Sequence, residues 1–513
     1  TNKTSMKRIF LLATLLYVAV ACTSPDEQTC PGGGFSIEVE EGRDLVGRIA
    51  YSDDSPAEGI VVSDGYSSTI TDRNGVYQLT RHADARHVFF SYPEDCRIQS
   101  NNNGVPDFFR RLNRTAKGPQ RQDFTLYKSD EPAARSFVFI PMGDPQMKTQ
   151  AHMKRFADEI IPDVNSTLEA QTLPSIAITL GDIGADNSSM FKEIAGLFRD
   201  MHVTFFHTIG NHDHDGTIPV LSNESAKDYY LRSIGPYEEA FCPVNYSFNF
   251  GDVHFVVMDD VRYTGNQKYS NDLTDEQIEW LRQDLSFVPR DKMIFVCMHT
   301  PVRKDAQFTH RNELLALISQ FAEAHLFVGH THYSQTYIHT DFGKKIYEHI
   351  LSAACGMFWH GTIAADGTPN GYGVYLIEGN TLKNGRYKAA RYDDDFQARI
   401  YDASCYEQWA GTDWENYVLA NVWRGNEEWT VELYEDDVKT KTMERFSDYD
   451  RSVREWVLYE LKYDFDYYKK KSNLYRAIPN SKTSRKKIKI TDQFGNVYWE
   501  ERISTGRQYT SYK

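Results

Sequence analysis

The chain of 513 residues has only seven cysteines, at irregular spacings that match no zinc-binding pattern, so a cysteine-built zinc fold is excluded. No internal repeat or long low-complexity tract interrupts it. Positive charge is also in short supply. Against 72 acidic side chains stand 57 basic ones, and the resulting net charge of -15 repels nucleic-acid backbones unless a local basic patch overrides it. The one basic run, Ser481–Lys489, reads as a solvated strand face, so no nucleic-acid partner is expected. The most apolar stretch near the start, Ile9 to Ala21, is too short to span a bilayer comfortably.

With Lys7 and Arg8 before it, that stretch reads as the core of an export signal covering residues 1–22. Ala19 and Ala21 lead into Cys22, which resembles the lipobox of a bacterial lipoprotein. The expectation is an exported, outer-membrane or periplasmic lipoprotein held to the membrane by a lipid anchor at Cys22. Cleavage before an unmodified residue is the alternative. Export permits disulfides among the remaining cysteines without choosing partners, while Cys297, inside the apolar run Ile294–Met298, reads as a small buried hydrophobe.

Length implies several cores. Residues 35–130 show short alternating strands and turn signals, with Asn74-Gly75 as a hairpin signal. They resemble a small transthyretin-like or carboxypeptidase-regulatory sandwich, read here as a spacer. Over residues 131–379 strands and helices alternate, and continuous apolar runs such as Ile176–Leu180, Val253–Met258 and Met293–Met298 suit strands covered on both faces. Helices are expected over Asn187–Met201 and Asn312–Ala324, and from Thr274, where Thr274 and Gln277 form a capping box. Residues 380–513 return to strands, with helix around Ser452–Leu461. The fold class is therefore a layered α/β core between two small β-rich domains.

Five polar clusters follow the apolar runs: Gly143-Asp144-Pro145-Gln146, Gly181-Asp182, Gly210-Asn211-His212-Asp213, Met298-His299-Thr300 and Gly329-His330-Thr331-His332. In an open α/β sheet ligands bind where strands end, so loops distant in sequence converge there. Each cluster alone is an ordinary turn composition. Together they supply the oxygen and nitrogen donors to hold two divalent metals side by side.

In this order the clusters resemble the D-x-H, G-D, G-N-H-D, H and G-H-x-H motifs of the calcineurin-like metallophosphoesterases, over about half the chain. The flanking β-rich regions are similar to those of an exported bacterial subgroup. The resemblance implies a central two-sheet αββα sandwich and two divalent ions among Mn, Fe, Zn or Mg. It implies that Asp144, Gln146, Asp182 and His332 hold the first ion, and Asp182, Asn211, His299 and His330 the second. It also implies hydrolysis of a small phosphoester by a metal-bridged hydroxide, with His212 facing the phosphoryl group and Asp213 orienting its ring. Gln146 departs from the family's usual His; its carbonyl is a harder donor and shifts preference away from zinc. The rival reading is a surface binding module descended from such an enzyme, with a weakened metal site and flanking domains that bind glycan or protein.

Beyond the metal ligands, Trp359 and Tyr372 are expected either to line a substrate pocket or to pack between domains. His207 reads as a core histidine; His214, His310, His339, His349 and His360 read as surface or loop residues. His214 is also an outside choice for supporting the ligands. Asp186 and Asn187 read as helix-cap residues.

Overall fold

A computed structural model describes residues 29–32, 34–130, 133–405, 409–462 and 471–504. The export signal and Cys22 lie outside the described residues. Among those residues, no helix is long and apolar enough to cross a membrane, and Cys96, Cys242, Cys297, Cys355 and Cys405 are free thiols.

Two sheets stacked face to face form the centre. The first runs Phe205–Thr208, Ser175–Leu180, Ser136–Met142, Gly371–Glu378, Thr381–Ala389; the second runs Tyr246–Phe250, Val253–Val257, Met293–Cys297, Glu323–Val328, Ile346–Ile350, Gln335–His339. The first three strands of the first sheet and the inner four of the second pair in parallel, and their apolar runs are buried on two faces. Phe139 of the first sheet meets Phe255, Phe295 and Phe327 of the second, with ring centroids 4.9 to 5.3 Å apart. Helices such as Gln150–Glu159, Phe191–Phe198 and Asp275–Ser286 complete the α/β sandwich. The first sheet ends at Ala389, past the boundary expected at residue 379.

The expected capping box is present: the Gln277 backbone N–H donates to Thr274 Oγ1 at 3.0 Å, and the Thr274 N–H donates to Gln277 Oε1 at 2.9 Å. The helix expected over Asn312–Ala324 is Arg311–Ile318, cut short because Glu323–Val328 pairs as a strand. That over Asn187–Met201 shortens to Phe191–Phe198 after a turn of 3-10 helix.

The amino-terminal β region corrects two expectations. Asp72 to Gly75 do turn the chain, but the strands on either side, Ser68–Ile70 and Val76–Leu79, enter two different four-stranded sheets rather than one hairpin. The region is also no mere spacer. Trp280 of the central sandwich donates its indole N–H to Ser63 Oγ at 3.0 Å, and Phe108 packs on Phe206 and Tyr246, making one continuous apolar core. Two further four-stranded sheets lie after residue 397.

Candidate metal centre

All five clusters stand at the carboxyl ends of central strands, and the structure brings them together. Five of the assigned ligands, Asp144, Gln146, Asp182, His330 and His332, have φ between 41° and 66°. Side-chain-bearing residues enter this left-handed region at a cost of roughly 1–3 kcal/mol each, and such strain clusters where function requires it. Glycines make the convergence possible. A Cβ on Gly181, itself at φ 83°, would lie 2.4 Å from His299 Nδ1, and one on Gly210 would lie 2.3 Å from Asp182 Oδ1.

Asp182, His299 and His330 offer ligand atoms that all lie within 4.8 Å of one another. His299 Nε2 is 3.0 Å from Asn211 Oδ1, 3.2 Å from His330 Nδ1 and 3.3 Å from Asp182 Oδ1. Its other nitrogen, Nδ1, lies 2.8 Å from the Leu180 carbonyl. An N–H donated there fixes the tautomer and leaves Nε2 to face the centre. Asp260 fastens the same loop from below, accepting the backbone N–H groups of His299 at 3.1 Å and Thr300 at 2.9 Å.

The other half is looser. His332 Nε2 is 3.4 Å from Asp144 Oδ1, while the Asp144 carboxylate accepts the His330 backbone N–H. The histidines flanking Thr331 thus diverge, one toward each half. Gln146 donates its amide N–H to Asp182 Oδ2 at 3.0 Å, and its Oε1 lies beside the Cys355 thiol at 3.9 Å. Its carbonyl would have to turn over to serve as a ligand.

The electrostatics are those of a site shaped for cations. Burial raises the Asp182 pKa, but the nearby His299 and His212 charges overcome it and hold the group well below the carboxylate range. Burial opposes charge on His299 as well, and the Asp182 carboxylate still lifts its pKa to about 10. His330, by contrast, is pushed down to about 3 by burial and by His299. Carboxylate, amide and imidazole donors in this geometry fit a divalent metal, which would displace the His299 proton.

His212 does not approach Asp213 as expected. Its Nδ1 is held by Asp186 Oδ1 at 2.9 Å, so Asp186 orients the ring and caps no helix. Burial lowers the His212 pKa, yet Asp182 and Asp186 together raise it to about 9. Asp213 instead accepts three backbone N–H groups, from Ile183, Gly184 and Gly210, tying the second cluster to the third. Asn187 holds the N-cap position of the 3-10 turn without a side-chain capping bond, and donates its amide to the Lys148 carbonyl.

Both aromatic residues weighed between pocket lining and packing are buried. Tyr372 is buried, its hydroxyl 2.7 Å from both Thr167 Oγ1 and Asp163 Oδ1. Trp359 is buried beneath the first cluster, where its indole N–H donates to the Pro145 carbonyl at 3.0 Å. His207 is the expected core histidine, 3.1 Å from Thr179 Oγ1. His214, His339 and His349 are buried rather than on the surface, through polar partners at Ser233, Glu348 and His325.

The sequence reading takes Asp186 for a cap residue and passes over Asp260. Asp260 had a signal: with Asp259 it follows the apolar run Val253–Met258, the same strand-end position as the five clusters. Tyr269, whose ring stands 6.0 Å from that of His330, had none.

A two-sheet α/β sandwich whose strand-end loops pool carboxylates and imidazoles is suited to hold a metal ion. Family models for the N terminal of calcineurin-like phosphoesterase, calcineurin-like phosphoesterase, and the C terminal of calcineurin-like phosphoesterase match residues 43–129, 143–334 and 348–498. The chain belongs to the calcineurin-like phosphoesterases, a family of metal-dependent phosphoesterases.

No curated protein matches it in sequence. Similar solved structures include a purple acid phosphatase from yellow lupin (Lupinus luteus), 13% identical over 65% of this chain and 73% of that one, TM-score 0.36. A 5'-nucleotidase from Candida albicans is 12% identical over 49% and 50%, TM-score 0.31. A metallophosphoesterase from Sphaerobacter thermophilus is 16% identical over 50% and 89%, TM-score 0.24.

Proposed function

We propose that this chain hydrolyses a phosphoester at a pair of divalent cations that share Asp182. The observation that carries the reading is the meeting of Asp182, His299 and His330 within 4.8 Å, with Asn211 Oδ1 beside them. These four would hold one ion; Asp144, Gln146, Asp182 and His332 would hold the other. When bound, the ions lower the pKa of a water and offset charge on the phosphoryl oxygens. Oxygen donors at Asp144, Gln146, Asp182 and Asn211 favour manganese, iron or magnesium over zinc.

The chain's own residues handle the proton. His212 has a side chain 37% exposed, so substrate can reach it. With Nδ1 occupied by Asp186, Nε2 is the nitrogen left to donate to the departing oxygen. The Asp186 carboxylate on Nδ1 favours the protonated ring. The His212 backbone N–H donates to Asp182 Oδ1 at 2.8 Å, which holds acid and shared carboxylate in one rigid frame.

The test pairs metal analysis of the purified chain with chromogenic phosphomonoester and phosphodiester assays in added manganese. His212→Ala should keep its metal and lose about 10²-fold in turnover. A wild-type chain with neither bound metal nor turnover refutes the reading. That outcome favours a binding module, the alternative to which the Gln146 N–H on Asp182 lends its one support.

A further inference from the structure

An aromatic group beside the metal-site histidine His330 comes from outside the five clusters. After the strand Val253–Val257 the chain forms a separate two-stranded hairpin, Val261–Gly265 against Lys268–Asn271. Its turn is pinned by the Gln267 backbone N–H, which donates to the Tyr263 hydroxyl at 3.2 Å. Tyr263 is buried and stacks on His214, with centroids 4.8 Å apart and planes at 11°. His214 follows Asp213 directly, so the hairpin is seated on the loop that carries Asn211 and His212.

Tyr269 lies opposite Tyr263 in the hairpin register and has the contrary environment. It is 36% exposed, and its ring meets the ring of His330 edge to face, centroids 6.0 Å apart at 83°. Across the centre, Phe358 at φ 50° sets its ring 4.9 Å from that of His332. Each half of the metal site thus has an aromatic ring against its histidine. A single exposed tyrosine needs no explanation; one paired across the hairpin with a buried tyrosine and set against the His330 ring does.

We infer that Tyr269 is the platform on which the organic group of the substrate stacks, so the chain prefers phosphoesters bearing a flat aromatic or heteroaromatic group. The inference rests on the phosphoesterase reading and adds the substrate class to it. Aromatic pairs favour offset-stacked and edge-to-face packing, and aromatic groups beside the two histidines accept a flat ring more readily than a branched alkyl chain.

The experiment uses the full chain in manganese with phenyl and ethyl phosphates, each as the monoester and as the methyl diester. Tyr269→Ala should raise KM for the phenyl ester about tenfold, leave its kcat within about twofold, and leave the ethyl ester unchanged. Tyr269→Phe should retain the wild-type KM, which assigns the effect to the ring rather than the hydroxyl. Equal losses on both esters, or none on either, overturn the inference and leave the phosphoesterase reading intact. Absence of turnover on every ester by the metal-loaded wild type overturns that reading, and the inference with it.

Discussion

In the proposed metal centre, the two groups of ligands that would share Asp182 are not built to the same tolerance. Around His299 three donor atoms lie within 3.3 Å of Nε2, and both the ring and its backbone are fixed from behind by Leu180 and Asp260. Around Gln146 the neutral amide presents an N–H to Asp182 Oδ2 at 3.0 Å. An imidazole whose tautomer is set by its other nitrogen has one way to face the centre. A primary amide has two, and only one of them presents its oxygen to a cation. The difference teaches that the His299 half is organised ahead of its ion, whereas the Gln146 half must reorganise to receive one. The His299 half should therefore fill first and hold its ion more tightly.

Asp182→Asn should erase the comparison altogether, because it removes the carboxylate common to both halves. Bound metal should fall below one ion per chain, and kcat/KM should fall by about 10³-fold or more, several kcal/mol of transition-state stabilisation. Metal analysis and steady-state assay on one preparation check both. Gln146→His should narrow the difference between the halves. Supplying an imidazole should raise the affinity of the weaker site for zinc about tenfold, read by titration against a competing chelator. An unchanged weaker site would show that Gln146 is not its limiting donor.

Asp186→Asn leaves both halves alone and addresses only the acid beside them. Loss of the carboxylate lowers the His212 pKa and loosens its ring, so kcat should fall about tenfold at neutral pH with metal content unchanged. The sign follows from direction: Asp186 helps hold the His212 pKa up, so its removal lets the acid lose its proton at lower pH. The alkaline limb of the pH–rate profile should therefore move toward neutrality. A profile that stays in place would remove Asp186 from the proton's path.

The convergence of the five clusters was legible because its cause is local: each cluster sits where an apolar run ends, and the strand carries it to the same rim as the others. The Thr274 capping box and the burial of Cys297 were legible for the same reason. What escaped was set by partners far away in sequence. Asp213 sits next to His212 but is consumed by three backbone N–H groups, which frees the role for Asp186. His339 and His349 look like loop residues until Glu348 and His325 supply buried partners. Asn74-Gly75 makes its turn, yet nothing near it in sequence says that the two strands it joins belong to different sheets.

Trp359 gives the finest test, because it separates support from ligation. Its indole N–H reaches the Pro145 carbonyl, one residue from each of Asp144 and Gln146, and Arg155 in turn donates to the Trp359 carbonyl. That prop serves only the looser half; the His299 half has Leu180 and Asp260. Trp359→Phe keeps an aromatic ring in the core and deletes a single hydrogen bond, worth about 1 kcal/mol of stability. If the prop positions the Asp144 to Gln146 turn, affinity at the weaker site should drop by a few-fold, while the first ion bound keeps its affinity. Two-step metal titration followed by calorimetry resolves the steps. Equal weakening of both would mean that the halves are mechanically coupled through Asp182, and that the asymmetry between them lies in the Gln146 amide alone.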